Sequence, residues 1–554
     1  MKNFVLILFL FLTRIIFIAP YALFFDGPEY ERLIMHDNLL LALTLGHEPI
    51  HPGFILPSWV VFKGVGLFFT LSPVVAGEIV AVAASVISLF VFYKIVGLYF
   101  SEKIALRAVV IASLLPVLFL SSVNLLNDTT YICFYLLSFY FISRFIFNNK
   151  KYNYFWGIVC LSYSVFSHTQ VLLWLPLFLS PTLFVQRSKR VGVFKKIILF
   201  LFCGVGIGVA VLVSLLTFTG SNFLYSTQLL FMHGGDIMVS SDMMQTGGRF
   251  ARNLVIILLR NNSSMVVLYA VIGSMYLFKH DKKKFAFCLI WILPVLIASQ
   301  YWHIGLFGRV GLIASFPLAI LSAQIKSRTA FIFLVLSLLV FTVPLAAENR
   351  ESPLHKSARR LYAEIPYNSV LISSNLIRPQ VTFTGEKYFI NEPGQDVLFI
   401  KQKIDSALDQ NRKVFIDSQA VYNPYYSLDG NRLHILSLGK AGHAEVGHLF
   451  KVYTVGIFRI VDSEKRIFLY QINGLERENT KNMYGRVPSG KEVIIYSQSI
   501  FSKVSPLRMD YGDICVWAYY FLMNKTDPAG WALGDQNGRF VFPKTGLNSK
   551  YYLQ

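Results

Sequence analysis

The sequence predicts an α-helical polytopic membrane bundle of about 11 transmembrane helices, followed by a C-terminal exoplasmic α/β domain. Three observations carry that prediction. The 554-residue chain is 55% hydrophobic and only 15% charged, a balance too apolar for a soluble enzyme. Apolar runs near the length a bilayer requires recur from Val5 to Ala346. Between them the basic residues concentrate in every second loop, which orients the spans.

The first run, Val5–Tyr21, follows Lys2 and contains Arg14, and it reads as an uncleaved signal anchor. An acidic stretch comes next, Phe24–Phe54, where Asp26, Glu29, Glu31, Asp37 and Glu48 stand beside His36, His47 and His51. Carboxylates crowded against a membrane boundary are costly unless water or a ligand meets them, so this stretch is the leading site candidate; the plainer reading is a wet loop. Within it, Tyr30–Leu45 has the apolar spacing of a helix lying at the interface. Pro52–Phe69 is long enough to cross but carries Pro52, Gly53, Pro57, Gly64 and Gly66.

Further runs fall at Pro73–Tyr99, Ala105–Ser121, Thr129–Phe147, Tyr154–Ser167, Val171–Val185, Ile197–Phe218, Ser264–Phe278, Phe285–Ser299, Val310–Ala323 and Phe331–Ala346. The segments Lys103–Arg107, Arg144–Lys151, Arg187–Lys196, Lys279–Lys284 and Lys326–Arg328 hold sixteen Lys and Arg, against four in the loops between, so the first set is cytoplasmic. Lys2 shares their side only if Pro52–Phe69 lies on the membrane surface or re-enters. The acidic stretch, Asp128, His168, the loop Thr219–Arg252 and the loop Tyr301–Arg309 then face the exoplasm. The expected location is the cell (plasma) membrane, multi-pass, with a cytoplasmic N-terminus and an exoplasmic C-terminal domain.

The formal net charge of +20 divides into 25 Lys+Arg against 11 Asp+Glu over residues 1–346 and 26 against 20 thereafter. Cytoplasmic loops of a membrane protein explain that excess, and no nucleic-acid-binding signature accompanies it. Of five cysteines, four sit in apolar runs, so no disulfide framework or CxxC metal site is on offer. After Ala346 the segments SVLISS, KVFID, RLHILSL, FKVYTVGIFRI and RIFLYQI are β-like and Gln402–Asn411 reads as a helix. The expected division is a transmembrane domain at 1–346, an α/β domain at 347–475 and a small β-rich appendage at 476–554. No glycine-rich phosphate loop or nucleophile elbow is present, so the chemistry falls to the first domain.

One span, an exoplasmic loop opening with DGPEY, an interfacial helix, His51-Pro52 starting a broken helix and a bundle of alternating spans together resemble the GT-C glycosyltransferases, nearest to the protein O-mannosyltransferases and aminoarabinose transferases. The resemblance implies an integral membrane enzyme using a polyprenyl- or dolichyl-phosphate sugar donor. It puts the catalytic carboxylate on Asp26, with Glu29 as a second acid. His51, Asp128 of LLNDTTY and Arg309 of the Gly308–Leu321 segment match further family positions. The acids here are spaced Asp-Gly-Pro-Glu rather than adjacent, a departure that bears on Glu29.

The chemistry agrees with that assignment on its own terms. Transfer of a sugar to a hydroxyl acceptor on protein, glycan or lipid needs a base for the acceptor and positive charge where the leaving phosphate develops charge. Asp26 suits the base and Arg309 the phosphate, since an arginine fork engages phosphate oxygens in pairs; the alternative for Arg309 is an interfacial arginine reaching for water. His303 and Arg249 add donors. Glu29 orients the base, binds a cation or supports the helix at Tyr30. Asp128 is a site residue or the N-cap of the next span. Tyr30 and Trp302 are candidate sugar contacts, and His168 is either a ligand or an ordinary loop histidine. His47 and His51 with Asp26 and Glu29 offer imidazole and carboxylate ligands to a divalent cation, without the fixed helical spacing that marks a metal site. Glu78 lines the cavity or touches head groups. Two other readings stand beside this one: a polysaccharide polymerase or ligase centred on Thr219–Arg252, and a transporter or flippase, for which no internal repeat is visible.

The assigned topology places Glu48 and Lys282 in opposite compartments. A cysteine at either position is expected to react with an impermeant maleimide from one side only, and from different sides; reaction of both from the same side overturns the assignment.

Overall fold

The computed structural model describes residues 2–19, 27–44, 51–218, 258, 262–301 and 312–350, and thereafter 365–366, 369–374, 388–392, 404–417, 453–462, 467–475, 494–496, 531–534 and 540–541. The chain divides into two compact units, a helical one ending at Arg350 and one from Glu351 onward.

The helical unit runs α1 (Lys2–Ile15), α2 (Gly27–Met35), α3 (Leu39–Thr44), α4 (Pro52–Gly66), α5 (Pro73–Tyr99), α6 (Glu102–Leu114), α7 (Pro116–Ser122), α8 (Asp128–Asn148), α9 (Lys151–Ser167), a 3₁₀ stretch (Thr169–Phe184), α10 (Arg190–Phe218), α11 (Ser264–His280), α12 (Lys282–Tyr301), α13 (Leu312–Ser322) and α14 (Arg328–Arg350). Among the described residues, four helical segments are long and apolar enough to cross a membrane: Pro73–Tyr99, Asp128–Asn148, Arg187–Thr217 and Arg328–Ala347. Their starts are written locally. Ser72 accepts from the Val75 amide with Pro73 at the first helical position of α5, and Ser101 accepts from Ile104 at the start of α6. Asn149 ends α8 in the left-handed region at φ 54°, a conformation asparagine tolerates.

Hydropathy and helix continuity part company at three places. Where the sequence predicts one span over Ala105–Ser121, α6 and α7 meet at a 67° bend, because Pro116 has no amide to continue the ladder. The Val171–Val185 run winds as 3₁₀ around Pro176 and Pro181. At a rise of about 2.0 Å per residue, that stretch reaches about as far as the roughly 30 Å hydrocarbon core, which an α-helix of the same length would not. The predicted interfacial helix Tyr30–Leu45 is two helices, since Asn38 turns its side chain onto the amides of Leu40 (2.9 Å) and Leu41 (3.3 Å) and starts α3 afresh.

The main core is built by α5 against α1, α6 and α8, extended through α9, the 3₁₀ stretch and α11–α13, with Phe92, Tyr99, Tyr135, Phe139, Trp174 and Trp291 among its largest members. A second cluster joins α2, α3 and α4 to the start of α5 through Tyr30, Leu33, Ile34, Phe54, Ile55 and Val74. α4 also clasps the α2–α3 turn, where Trp59 Nε1 donates to His36 O (2.8 Å) and Lys63 pairs with Asp37 (2.8 Å).

In the second unit, β1 (Val370–Ser374), β2 (Tyr388–Glu392) and β3 (Val414–Asp417) are parallel neighbours, while β4 (Tyr453–Asp462) and β5 (Ile467–Leu475) add antiparallel strands in the order β2-β1-β3-β5-β4. Residues 404–409 are helical. A separate antiparallel sheet holds β6 (Ile494–Tyr496), β7 (Trp531–Gly534) and β8 (Phe540–Val541). The predicted strand within RLHILSL lies outside the described residues.

Gly53 lets α4 approach the end of α9 closely: a Cβ there would collide with Ser167 Oγ and Cα, whereas one at Gly64 meets open space. Gly53→Ala is expected to cost about 1–3 kcal/mol and lower the thermal midpoint in detergent, while Gly64→Ala leaves it unchanged or raises it. Equal midpoints for the two variants would contradict the close approach.

Candidate active site

Four helix ends and one helix flank gather the polar residues. Pro52 at the first position of α4 holds His51 outside the helix, where its carbonyl still takes the amides of Phe54 (3.0 Å) and Ile55 (3.1 Å). His168 closes α9 and opens the 3₁₀ stretch, its Nδ1 accepting from the Gln170 amide at 3.0 Å. That bond leaves the neutral ring with its proton on Nε2. The two imidazoles stack, with centroids 4.6 Å apart. Tyr30 of α2 packs edge-on against His51 at 5.8 Å, and Tyr131 of α8 lies 4.9 Å from His168.

Asp128 begins α8. The cap position falls to Asn127, whose side chain makes no cap bond, so the sequence expectation of Asp128 as a cap is corrected. Its Oδ1 instead accepts from the Tyr131 hydroxyl, which also lies 3.4 Å from Gln170 Oε1. Both distances are long for a hydroxyl donor, so Tyr131 is shared between the two. Asp128 is buried in the first turn of α8, where the helix dipole favours its charge. Tyr163 of α9 donates to Gly53 O at 2.9 Å and ties the His51 turn to the same helix that ends in His168.

Behind this cluster lie two acids. Glu31 of α2 is 3% exposed and Glu78 of α5 is fully buried, and they are near enough to act on each other through space. Glu31 Oε1 and both oxygens of Glu78 lack hydrogen-bond partners among the described residues. Burial pushes the Glu31 carboxyl up to about 9, because the charged form loses its hydration.

Of the residues nominated from sequence, the structure thus brings Tyr30, His51, Asp128 and His168 into one neighbourhood. Glu29 lies on α2, one residue before Tyr30. Asp26, His47, Arg249, Trp302, His303 and Arg309 lie outside the described residues, and no group of three metal-ligating side chains occurs among the described ones. Sequence reasoning missed Glu31 as a buried acid, and also Tyr131 and Gln170. Their signal was spacing: Tyr131 is one turn from Asp128, and Gln170 sits two residues past His168, but both spacings speak only once the helix ends are known.

Residues 51–217, which contain His51, Asp128 and His168, match the family described as dolichyl-phosphate-mannose-protein mannosyltransferase. The chain is similar in fold to ArnT from Cupriavidus metallidurans, solved with undecaprenyl phosphate, at 9% identity over 85% of this chain and 97% of that one, with a TM-score of 0.55. Its likeness to the Archaeoglobus fulgidus oligosaccharyltransferase tethered to an acceptor peptide is weaker, a TM-score of 0.45 at 12% identity over 82% of this chain and 72% of that one. No curated protein matches the chain.

Glu31 sets a pH dependence. Its folded value of about 9 stands above the ordinary 4.5, so between those pH values the folded chain keeps a proton the unfolded chain has released. The stability from that proton is fully present below about pH 4.5 and is lost as pH rises toward 9. Glu31→Gln is expected to flatten the fall of the thermal midpoint between these limits; an unchanged slope would mean that Glu31 ionises freely.

Proposed function

We propose that this chain is a GT-C membrane glycosyltransferase that transfers a sugar from a polyprenyl- or dolichyl-phosphate donor to a hydroxyl acceptor on the exoplasmic side of the membrane, with Asp26 as base. Asp26 takes the proton from the acceptor hydroxyl. The oxygen attacks the anomeric carbon from the face opposite the phosphate, the carbon–oxygen bond to phosphate breaks, and its electron pair leaves with the lipid phosphate. The anomeric configuration inverts.

The single observation that carries this reading is the position of the matched segment. It begins at His51 and holds His51, Asp128 and His168, the residues linked in a chain of contacts from Tyr30 to Tyr131, and α2 starts at Gly27, directly after Asp26 in sequence. The bound undecaprenyl phosphate of the fold neighbour supports a lipid-phosphate donor. In this reading Arg309, His303 and Arg249 meet the donor phosphate, where fixed positive charge stabilises the leaving group. Tyr30, His51, Asp128, His168 and Trp302 contact the sugar or acceptor, and Glu29 orients Asp26 or shares a divalent cation with it. The α/β domain at 347–475, exoplasmic with its appendage at 476–554, binds the acceptor or braces the loops.

The test is transfer by the purified chain from a panel of polyprenyl-phosphate sugars to hydroxyl acceptors. Asp26→Asn is expected to lower kcat by about 100-fold or more; wild-type turnover by that variant would remove Asp26 from the base role. Transfer only from a lipid-linked oligosaccharide would favour the polymerase or ligase reading.

A further inference from the structure

Arg14 is among the largest fully buried side chains of the protein, and no carboxylate among the described residues pairs with it. Neutral groups from four helices meet its guanidinium. Nε donates to Ser85 Oγ of α5 (3.3 Å), Nη1 to Leu10 O of its own helix (3.2 Å), and Nη2 to Ser113 O of α6 (2.9 Å), while the Phe119 ring of α7 lies 5.2 Å beneath the cation.

The acceptor on α6 explains the choice of residue. The break before Pro116 strips the last carbonyls of α6 of their helical donors, and each finds another partner. Ala112 O takes the Leu115 amide (3.3 Å), Ser113 O takes Arg14, and Leu114 O takes the Thr342 hydroxyl of α14 (2.6 Å). An unmet carbonyl in hydrocarbon is costly, so each bond stabilises the break that Pro116 places, and of the three the Arg14 bond alone ties it to α1 and α5. From the same place the exit of α1 is laced onto α7. Phe17 packs edge-on against Phe119 (5.5 Å), and the Ala19 amide donates to Val123 O (3.4 Å). Past Val123 the chain turns, with Asn124 Nδ2 on Leu120 O (2.6 Å) and Leu126 N on Asn124 O (2.8 Å), and delivers Asp128.

We propose that Arg14 is a positioning residue for the site: by holding the α6–α7 break against α1 and α5, it sets the approach of the chain to Asp128 and anchors the helix whose exit leads in sequence to Asp26. This assignment rests on the glycosyltransferase reading for its effect on rate. Lysine cannot substitute, since one ammonium does not span Ser85 and Ser113 as a guanidinium fork does.

The test compares Arg14→Lys with Thr342→Val, which removes a bond to the same break without touching α1. Arg14→Lys is expected to lower kcat about tenfold or more, with KM for the donor within about threefold, as a small misplacement of a reacting group does. Thr342→Val lowers the thermal midpoint and leaves kcat unchanged. A second measurement is independent of activity. In a chain freed of its own cysteines, Thr129→Cys is buried beside Asp128, and Arg14→Lys should raise its maleimide labelling rate several-fold while Thr342→Val does not. Losses of kcat that track the fall in midpoint equally in both variants, or an unchanged labelling rate in Arg14→Lys, overturn the proposal. Absence of transfer by the unmodified chain would count against the glycosyltransferase reading, and the labelling rates would still decide the role of Arg14.

Discussion

In hydrocarbon a backbone carbonyl released from its helix has no water to turn to, and much of this bundle answers that constraint. The break at Pro116 releases carbonyls in the middle of the unit, and the side chains that meet them, Arg14 and Thr342, come from the first and last helices of the bundle. One proline therefore links α1, α6, α7 and α14 more firmly than apolar packing alone, which slides easily where lipid and side chain are alike. The bend also redirects α7, so that the following turn ends at Asp128 and not farther along the axis of α6.

A second device operates where α4 meets α9. Pro52 starts one helix and His168 ends the other, Gly53 removes the side chain that would keep them apart, and Tyr163 bonds across the gap. The stacked imidazoles are a product of that close approach. With Nδ1 of His168 accepting from a backbone amide, Nε2 is the nitrogen left to face a further partner, and the ring is held against His51 at 4.6 Å between centroids. The cluster assembled in this way holds oriented polar groups, with Asp128 in front of it and the buried Glu31 and Glu78 behind.

The buried acids also explain how the first-loop helices stay on the bundle. α2 is short, with little apolar area of its own, and it docks through Tyr30, Leu33 and Ile34 onto α4 and α5. Glu31, on the same docked face, tolerates burial because it keeps its proton at neutral pH. The interface is thereby sensitive to ionisation, a property that hydropathy alone would not reveal.

By itself the sequence determined the apolar class of the chain, the placement of most helices and the strands at Val370–Ser374, Val414–Asp417, Tyr453–Asp462 and Ile467–Leu475, since these follow from composition and local periodicity. It also marked His51, Asp128 and His168, because a polar residue at the end of an apolar run is conspicuous. Tertiary structure alone decided that α6 and α7 are one bent passage, that Thr169–Phe184 winds as 3₁₀, that Asp128 faces Tyr131 instead of capping its helix, and that Glu31 is buried. The reason is physical. Helix periodicity is a property of neighbours in sequence, whereas the partner of a released carbonyl, the ring stacked on a histidine and the dielectric around a carboxylate are supplied by residues tens or hundreds of positions away.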